Sequence, residues 1–147
     1  MNALASSYLS FLIWLILSTM VVGILGMLLP QLFSLMILLP YIIAFVHMAL
    51  RFVKKFQILP TTKQRWQLSI GCASIFLLYS CLAGALGLIL SQDGDINTLY
   101  QVLGNTHFVI FFVGLYLCIN AILVMLGYWF LGKPTAKMLA YYQQHGS

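Results

Sequence analysis

The sequence predicts an all-α integral membrane four-helix bundle with the N-terminus and the C-terminus on the cytoplasmic side. Three observations carry this. All seven Lys and Arg residues fall in two short stretches, Arg51 to Arg65 and Lys133 to Lys137. The rest of the chain is apolar or weakly polar, in runs long enough to cross a bilayer. The chain is 63% hydrophobic and only 6% charged, with a mean hydropathy of +1.02. A soluble domain carries about 25% charged residues, and so few charges cannot build a water-exposed surface.

An apolar stretch of about 18 or more residues reads as a transmembrane helix. The sequence offers four, at approximately 8–29, 32–53, 67–90 and 106–131, within a single domain of 147 residues. At 1.5 Å per residue each measures roughly 33–39 Å, enough for a hydrocarbon core about 30 Å thick. The first is not expected to be a cleaved signal peptide, because no Lys or Arg precedes it and its apolar run is too long. Between the first two, Leu29-Pro30-Gln31 supplies a break, since Pro disfavours helix in the residue before it. Within the second, Pro40 is expected to remove a helical hydrogen bond and kink the helix. The loop 51–65 holds five of the seven cations. In it, Thr61 followed by Gln64 fits a capping box and starts helix three near Thr62. The loop 91–105 holds the two acids, Asp93 and Asp95, in a turn expected to lead into a short interfacial helix over 96–103. The tail 132–147 is expected to carry a short surface helix over 136–142 and to leave His145 in a disordered end.

Orientation follows from charge. Cytoplasmic loops carry excess Lys and Arg, so 51–65 and the tail are placed inside and 91–105 outside. Trp14, Trp66 and Trp129 fall in the same half. This rule accounts for the net charge of +5 without nucleic acid as a partner.

No carboxylate lies inside a span, and such a group would be the strongest flag for proton-coupled chemistry. His47 precedes Arg51 by one helical turn, so the two share a face. With Lys54 and Lys55 they form a candidate contact for lipid head groups or another anion. Asn120 lies mid-span and is expected to hydrogen-bond across helices, with Ser18, Ser34, Tyr79 or Ser80 as partner. Ser80/Gly84 and Ala83/Gly87 are small-xxx-small pairs, for which Gly23 and Gly26 are a candidate opposing surface inside the chain. His47 and His107 fall near opposite faces of the membrane, so no metal site or cofactor is expected from them. Cys72, Cys81 and Cys118 read as small packing residues rather than a disulfide framework.

The run Phe52-Val53-Lys54-Lys55, then Pro60-Thr61 and Lys63, leading straight into span three, resembles the central loop of a family of uncharacterised small four-span bacterial inner-membrane proteins. The tail Lys133 to Tyr142 is similar in position. The resemblance implies a multi-pass inner-membrane location and this architecture, and brings no activity with it.

The sequence shows no nucleophile–base pair, no metal-ligand spacing and no phosphate-cradling loop. The leading expectation is a non-enzymatic accessory protein that binds membrane lipids and a membrane protein partner or a second copy of itself, of which an immunity-type protein is one form. The alternative is a small transporter or channel subunit built on Asn120, His47 and the Pro40 kink.

Overall fold

The computed structural model describes residues 3–29, 31, 38–91 and 104–145. All regular elements among the described residues are helices. In chain order they are α1 (Ala3–Leu28), α2 (Leu39–Phe56), α3 (Thr62–Ser91), α4 (Thr106–Phe130) and α5 (Lys133–His145). Three stretches, Leu4–Leu28, Thr62–Gly87 and Thr106–Gln144, are long and apolar enough to cross a membrane. The last combines α4 with α5, and α4 alone supplies 25 residues. By length and composition the chain is therefore a helical membrane protein.

The burial pattern of α1 makes the same point independently. Ser6, Ser7, Ser10 and Ser18 are buried against the other helices, with Phe11, Leu15 and Val22. Leu9, Ile13, Leu17, Met20 and Ile24 face outward and are exposed. A helix in water turns its serines out and its leucines in. The reverse arrangement is stable where the surroundings are hydrocarbon and polar groups must find partners inside.

Helix α2 turns one face to the core. Tyr41, Ala44, Phe45, Met48, Ala49, Phe52 and Val53 are buried along one face at three- and four-residue spacing. Its C-terminus closes at Gln57, which takes a left-handed conformation with φ 51° while its N–H donates to the Val53 carbonyl at 2.9 Å. Helix α3 then starts where the capping box requires. The Thr61 N–H donates to Gln64 Oε1 at 2.9 Å, and the Gln64 N–H donates to Thr61 Oγ1 at 3.3 Å. Asn105 caps α4 in a related way, its Oδ1 accepting from the Phe108 N–H at 3.2 Å.

Side-chain contacts fix the helix directions. Ser6 meets Lys55 and Ser10 meets Arg51, so α1 and α2 run antiparallel. Tyr8 donates to the Gln67 carbonyl at 2.7 Å, which places the start of α3 beside the start of α1, the two running parallel. Trp66 packs on Tyr128 at 4.8 Å, and Arg65 lies beside Gly132, so α3 and α4 are antiparallel. Helix α5 turns back and packs on α2. The apolar core holds Phe11, Phe45, Met48, Phe52, Leu68 and Leu131. It sits towards the end of the assembly where α2 finishes and α3 begins. Farther along α3 and α4, Leu78, Leu82, Leu86, Ile110 and Phe111 are exposed.

Several expectations change. Of the four expected spans, the second is represented by α2, whose described helix has 18 residues and carries Arg51, Lys54 and Lys55. It is not among the three stretches that meet the length and apolarity of a crossing, and residues 32–37 lie outside the described set. Pro40 does not interrupt a helix. It occupies the first turn of α2 as described, where a missing N–H costs nothing. His145 does not lie in a disordered end, because α5 runs through it. The short helix expected over 96–103, with Asp93 and Asp95, lies outside the described residues.

Candidate functional site

The polar groups of α1 and α2 meet in register along their shared seam. Lys55 Nζ donates to Ser6 Oγ at 3.5 Å, and Arg51 Nη1 donates to Ser10 Oγ at 3.4 Å. One turn farther, the His47 ring stacks on Trp14 at 3.7 Å between centroids, with 9° between planes. Ser18 Oγ then reaches the Pro40 carbonyl at 3.2 Å and the Trp14 carbonyl of its own helix at 2.6 Å. Ser6, Ser10, Trp14 and Ser18 recur every four residues, and Lys55, Arg51 and His47 run back along α2 with the same spacing. Residues four apart share a helix face, so antiparallel packing brings the two rows opposite each other.

At the open end of this seam is a cleft too tight to hold a water molecule. Ser6, Ser7, Met48, Arg51, Phe52, Lys55 and Phe56 line it. Lys55 Nζ also lies 5.4 Å from the centre of the Phe56 ring. The two cations meet hydroxyls here, and a neutral hydroxyl cannot balance their charge. The chain's only acids, Asp93 and Asp95, lie outside the described residues. Their bonds to serine are longer than the 2.7–2.9 Å or so of a charge-assisted bond, so both donors retain capacity for an anion.

The structure thus brings His47, Arg51 and Lys55 onto one face and separates Lys54 from them. Lys54 is exposed outside the cleft, and its carbonyl accepts from Gln57 Nε2 at 3.2 Å. The remaining basic residues gather at the same end of the assembly. Arg65 Nε donates to the Pro60 carbonyl at 3.1 Å. Its Nη1 lies 3.2 Å from where a Cβ at Gly132 would stand, beside the last turn of α4, whose carbonyl dipoles favour a cation. Lys133 and Lys137 belong to α5, which packs on α2.

Asn120 departs from its expected role. It is only 9% exposed, yet its Nδ2 donates to the Tyr116 carbonyl of its own helix at 2.9 Å. Its Oδ1 is buried without a protein hydrogen-bond partner among the described residues. Of its four expected partners, Ser18 is engaged with α2 instead, Tyr79 and Ser80 are half-buried on α3, and Ser34 lies outside the described residues.

The helix-packing glycines also differ from expectation. A Cβ at Gly23, Gly84 or Gly87 would meet nothing within 4 Å, so none of the three supports a close helix approach within the described chain. Gly26 is buried on α1. The close approaches occur at other glycines, Gly132 beside Arg65 among them. At Gly71 a Cβ would stand 2.5–2.6 Å from the ring and hydroxyl of Tyr8, and at Gly127 it would stand 2.9 Å from Phe45 and 3.2 Å from Ser69 Oγ. A Tyr beside a Gly is no sequence signal by itself, and only the α1–α3 packing reveals it. The row Ser6, Ser10, Trp14 and Ser18 has a four-residue period in the sequence, which marks a shared helix face without saying what that face meets. Cys72 is buried and Cys81 and Cys118 are exposed. Among the described residues no three His, Cys, Asp or Glu side chains converge on a point that would hold a metal. No protein family, curated protein or solved structure matches the chain.

Proposed function

We propose that the chain is a non-enzymatic, four-span protein of the bacterial inner membrane that binds a second membrane component. The observation that carries the binding role is the bare half of α3 and α4. Ser80, Gly84 and Gly87 are small residues of the kind that let helices approach closely. At Gly84 and Gly87 no atom of the described residues comes within 4 Å of a Cβ position, and Leu78, Leu82 and Leu86, on the opposite face of α3, are exposed as well. A partner helix, from another membrane protein or from a second copy, fits there.

The helix directions support four crossings. Helices α1 and α3 run parallel and start at the same end. If each crosses, the chain between them must cross back, and α2, antiparallel along α1, is the segment available to do so. Its 18 residues are preceded by the apolar sequence Leu32 to Ile37. The collection of Lys and Arg at one end supports a cytoplasmic position for that end, with both termini inside. The likeness of the loop 52–63 to that of small four-span inner-membrane proteins supports the same architecture.

The test uses Cys81, which is exposed beside Ser80 and Gly84. In native membranes from a strain with Cys72→Ala and Cys118→Ala, a thiol cross-linker is expected to give one product of defined mass, and Gly84→Leu is expected to abolish it. Absence of a product at native expression contradicts the binding role. The alternative, a small transporter or channel, is favoured by the buried, unpaired Oδ1 of Asn120. It requires Asn120→Cys to react with water-soluble thiol reagents, and failure to react from either side excludes it.

A further inference from the structure

We infer that the rim where the start of α3 meets the α4–α5 corner is a docking surface for an anionic bilayer surface, held by Lys63, Lys133 and Lys137 with Trp66, Trp129 and Tyr141 as aromatic anchors. This deepens the membrane reading above, and rests on it in placing the rim at the head-group level.

The two parts of the rim are far apart in sequence and adjacent in space. Trp66 packs on Tyr128 at 4.8 Å, and Arg65 Nη1 lies 3.2 Å from where a Cβ at Gly132 would stand. Each part starts a helix with the same pattern, Pro60-Thr61-Thr62-Lys63 in one and Pro134-Thr135-Ala136-Lys137 in the other. In the second, Thr135 is fully buried and its Oγ1 donates to the Phe130 carbonyl at 2.8 Å, which ties the first turn of α5 to the end of α4. Trp129, Lys133, Lys137 and Tyr141 follow one another at four-residue spacing, and all four are exposed. Within α5 that spacing puts the two lysines and the tyrosine on one face. Lys63 and Trp66 are exposed at the start of α3. The contact is made on the outside of the rim and needs no cavity.

Charge decides the occupant. The described residues contain no carboxylate, so these three lysines have no counter-charge among them. Two of the three also oppose the helices that carry them. Lys63 lies in the first turn of α3 and Lys133 in the first turn of α5, where the positive end of the helix dipole disfavours a cation, and neither first turn holds an acid. Cations that weaken their own helix and balance no charge within it point to a negative partner outside. The aromatic residues make that partner a bilayer rather than a soluble anion. Trp129 and Tyr141 are 61% and 60% exposed, and such rings settle where hydrocarbon meets head groups. Lysine stems lie along the hydrocarbon there while the ammonium reaches the lipid phosphates.

The experiment reads the lipid composition around the corner. Trp14→Phe with Trp66→Phe leaves Trp129 as the single indole of the full chain. That chain is placed in vesicles of phosphatidylcholine and phosphatidylglycerol in equal amounts, with bromine on the upper acyl chain of one lipid or the other. Brominated phosphatidylglycerol is expected to quench Trp129 about twofold more than brominated phosphatidylcholine. Lys133→Gln with Lys137→Gln is expected to erase the difference, whereas Arg51→Gln with Lys55→Gln, which removes the same charge beside α1, is expected to keep it. Salt at about 1 M is expected to erase it too, because screening then acts within about 3 Å. Phosphatidylserine in place of phosphatidylglycerol is expected to give the same result. In neutral detergent, the unfolding midpoint of the Lys133 and Lys137 variant is expected to equal or exceed that of the parent. Equal quenching by the two lipids, or equal loss in the two charge-matched variants, overturns the surface. Persistence at high salt, or a response to phosphatidylglycerol alone, overturns it in favour of a specific head-group site. A lower midpoint in detergent overturns it by showing that the lysines hold the fold. Failure of the chain to float with lipid on a density gradient overturns the membrane reading instead, so the two failures are told apart.

Discussion

Gly71 and Gly84 lie on the same helix and meet opposite surroundings. The ring of Tyr8 fills the space over Gly71, while the space over Gly84 is open. Gly71→Ala must push the Tyr8 ring aside and disturb the bond from its hydroxyl to Gln67. Overpacking of this kind costs about 1–3 kcal/mol. Gly84→Ala touches nothing among the described residues, so its effect on the isolated protein is expected to stay within about 0.5 kcal/mol. Reversible unfolding in detergent, comparing each variant with the parent, measures both. Equal destabilisation by the two would show that the bare face of α3 is covered in the monomer.

The start of α3 rests on chemistry local enough to be legible in sequence. Thr61 and Gln64 exchange bonds with each other's backbone N–H, with Thr61 exposed and Gln64 half-buried. Thr61→Ala is expected to cost about 1 kcal/mol, seen as a lower unfolding midpoint, with Thr61→Ser retaining most of the stability. The shared face of His47 and Arg51 was legible for a similar reason, since the helical period alone fixes it. What that face meets was not, because it depends on which helix packs there and in what register. The serines of α1 looked unremarkable among leucines, although their four-residue spacing mirrors Lys55, Arg51 and His47. Pro40 misled because the apolar sequence continues on both sides of it, hiding a helix start. Asn120 satisfies one of its groups on its own helix, an option that composition cannot distinguish from a bond across helices.

For the molecule as a whole, the organising fact is that one end carries all the charge of the described residues and most of the core. Arg51 and Lys55 close over the start of α1, Arg65 over the end of α4, and α5 packs on α2. The other end has exposed Phe, Leu and Ile. An assembly so divided matches a bilayer, with a polar collar at one surface and hydrocarbon around the rest. The proposed partner surface depends on that placement. Membrane topology mapped in living bacteria tests it most directly, with reporters joined after Gln57, within 91–105 and after the C-terminus. The account expects the first and third reporters to be cytoplasmic and the second external. Reporters after Gln57 and after the C-terminus on opposite sides of the membrane would contradict it.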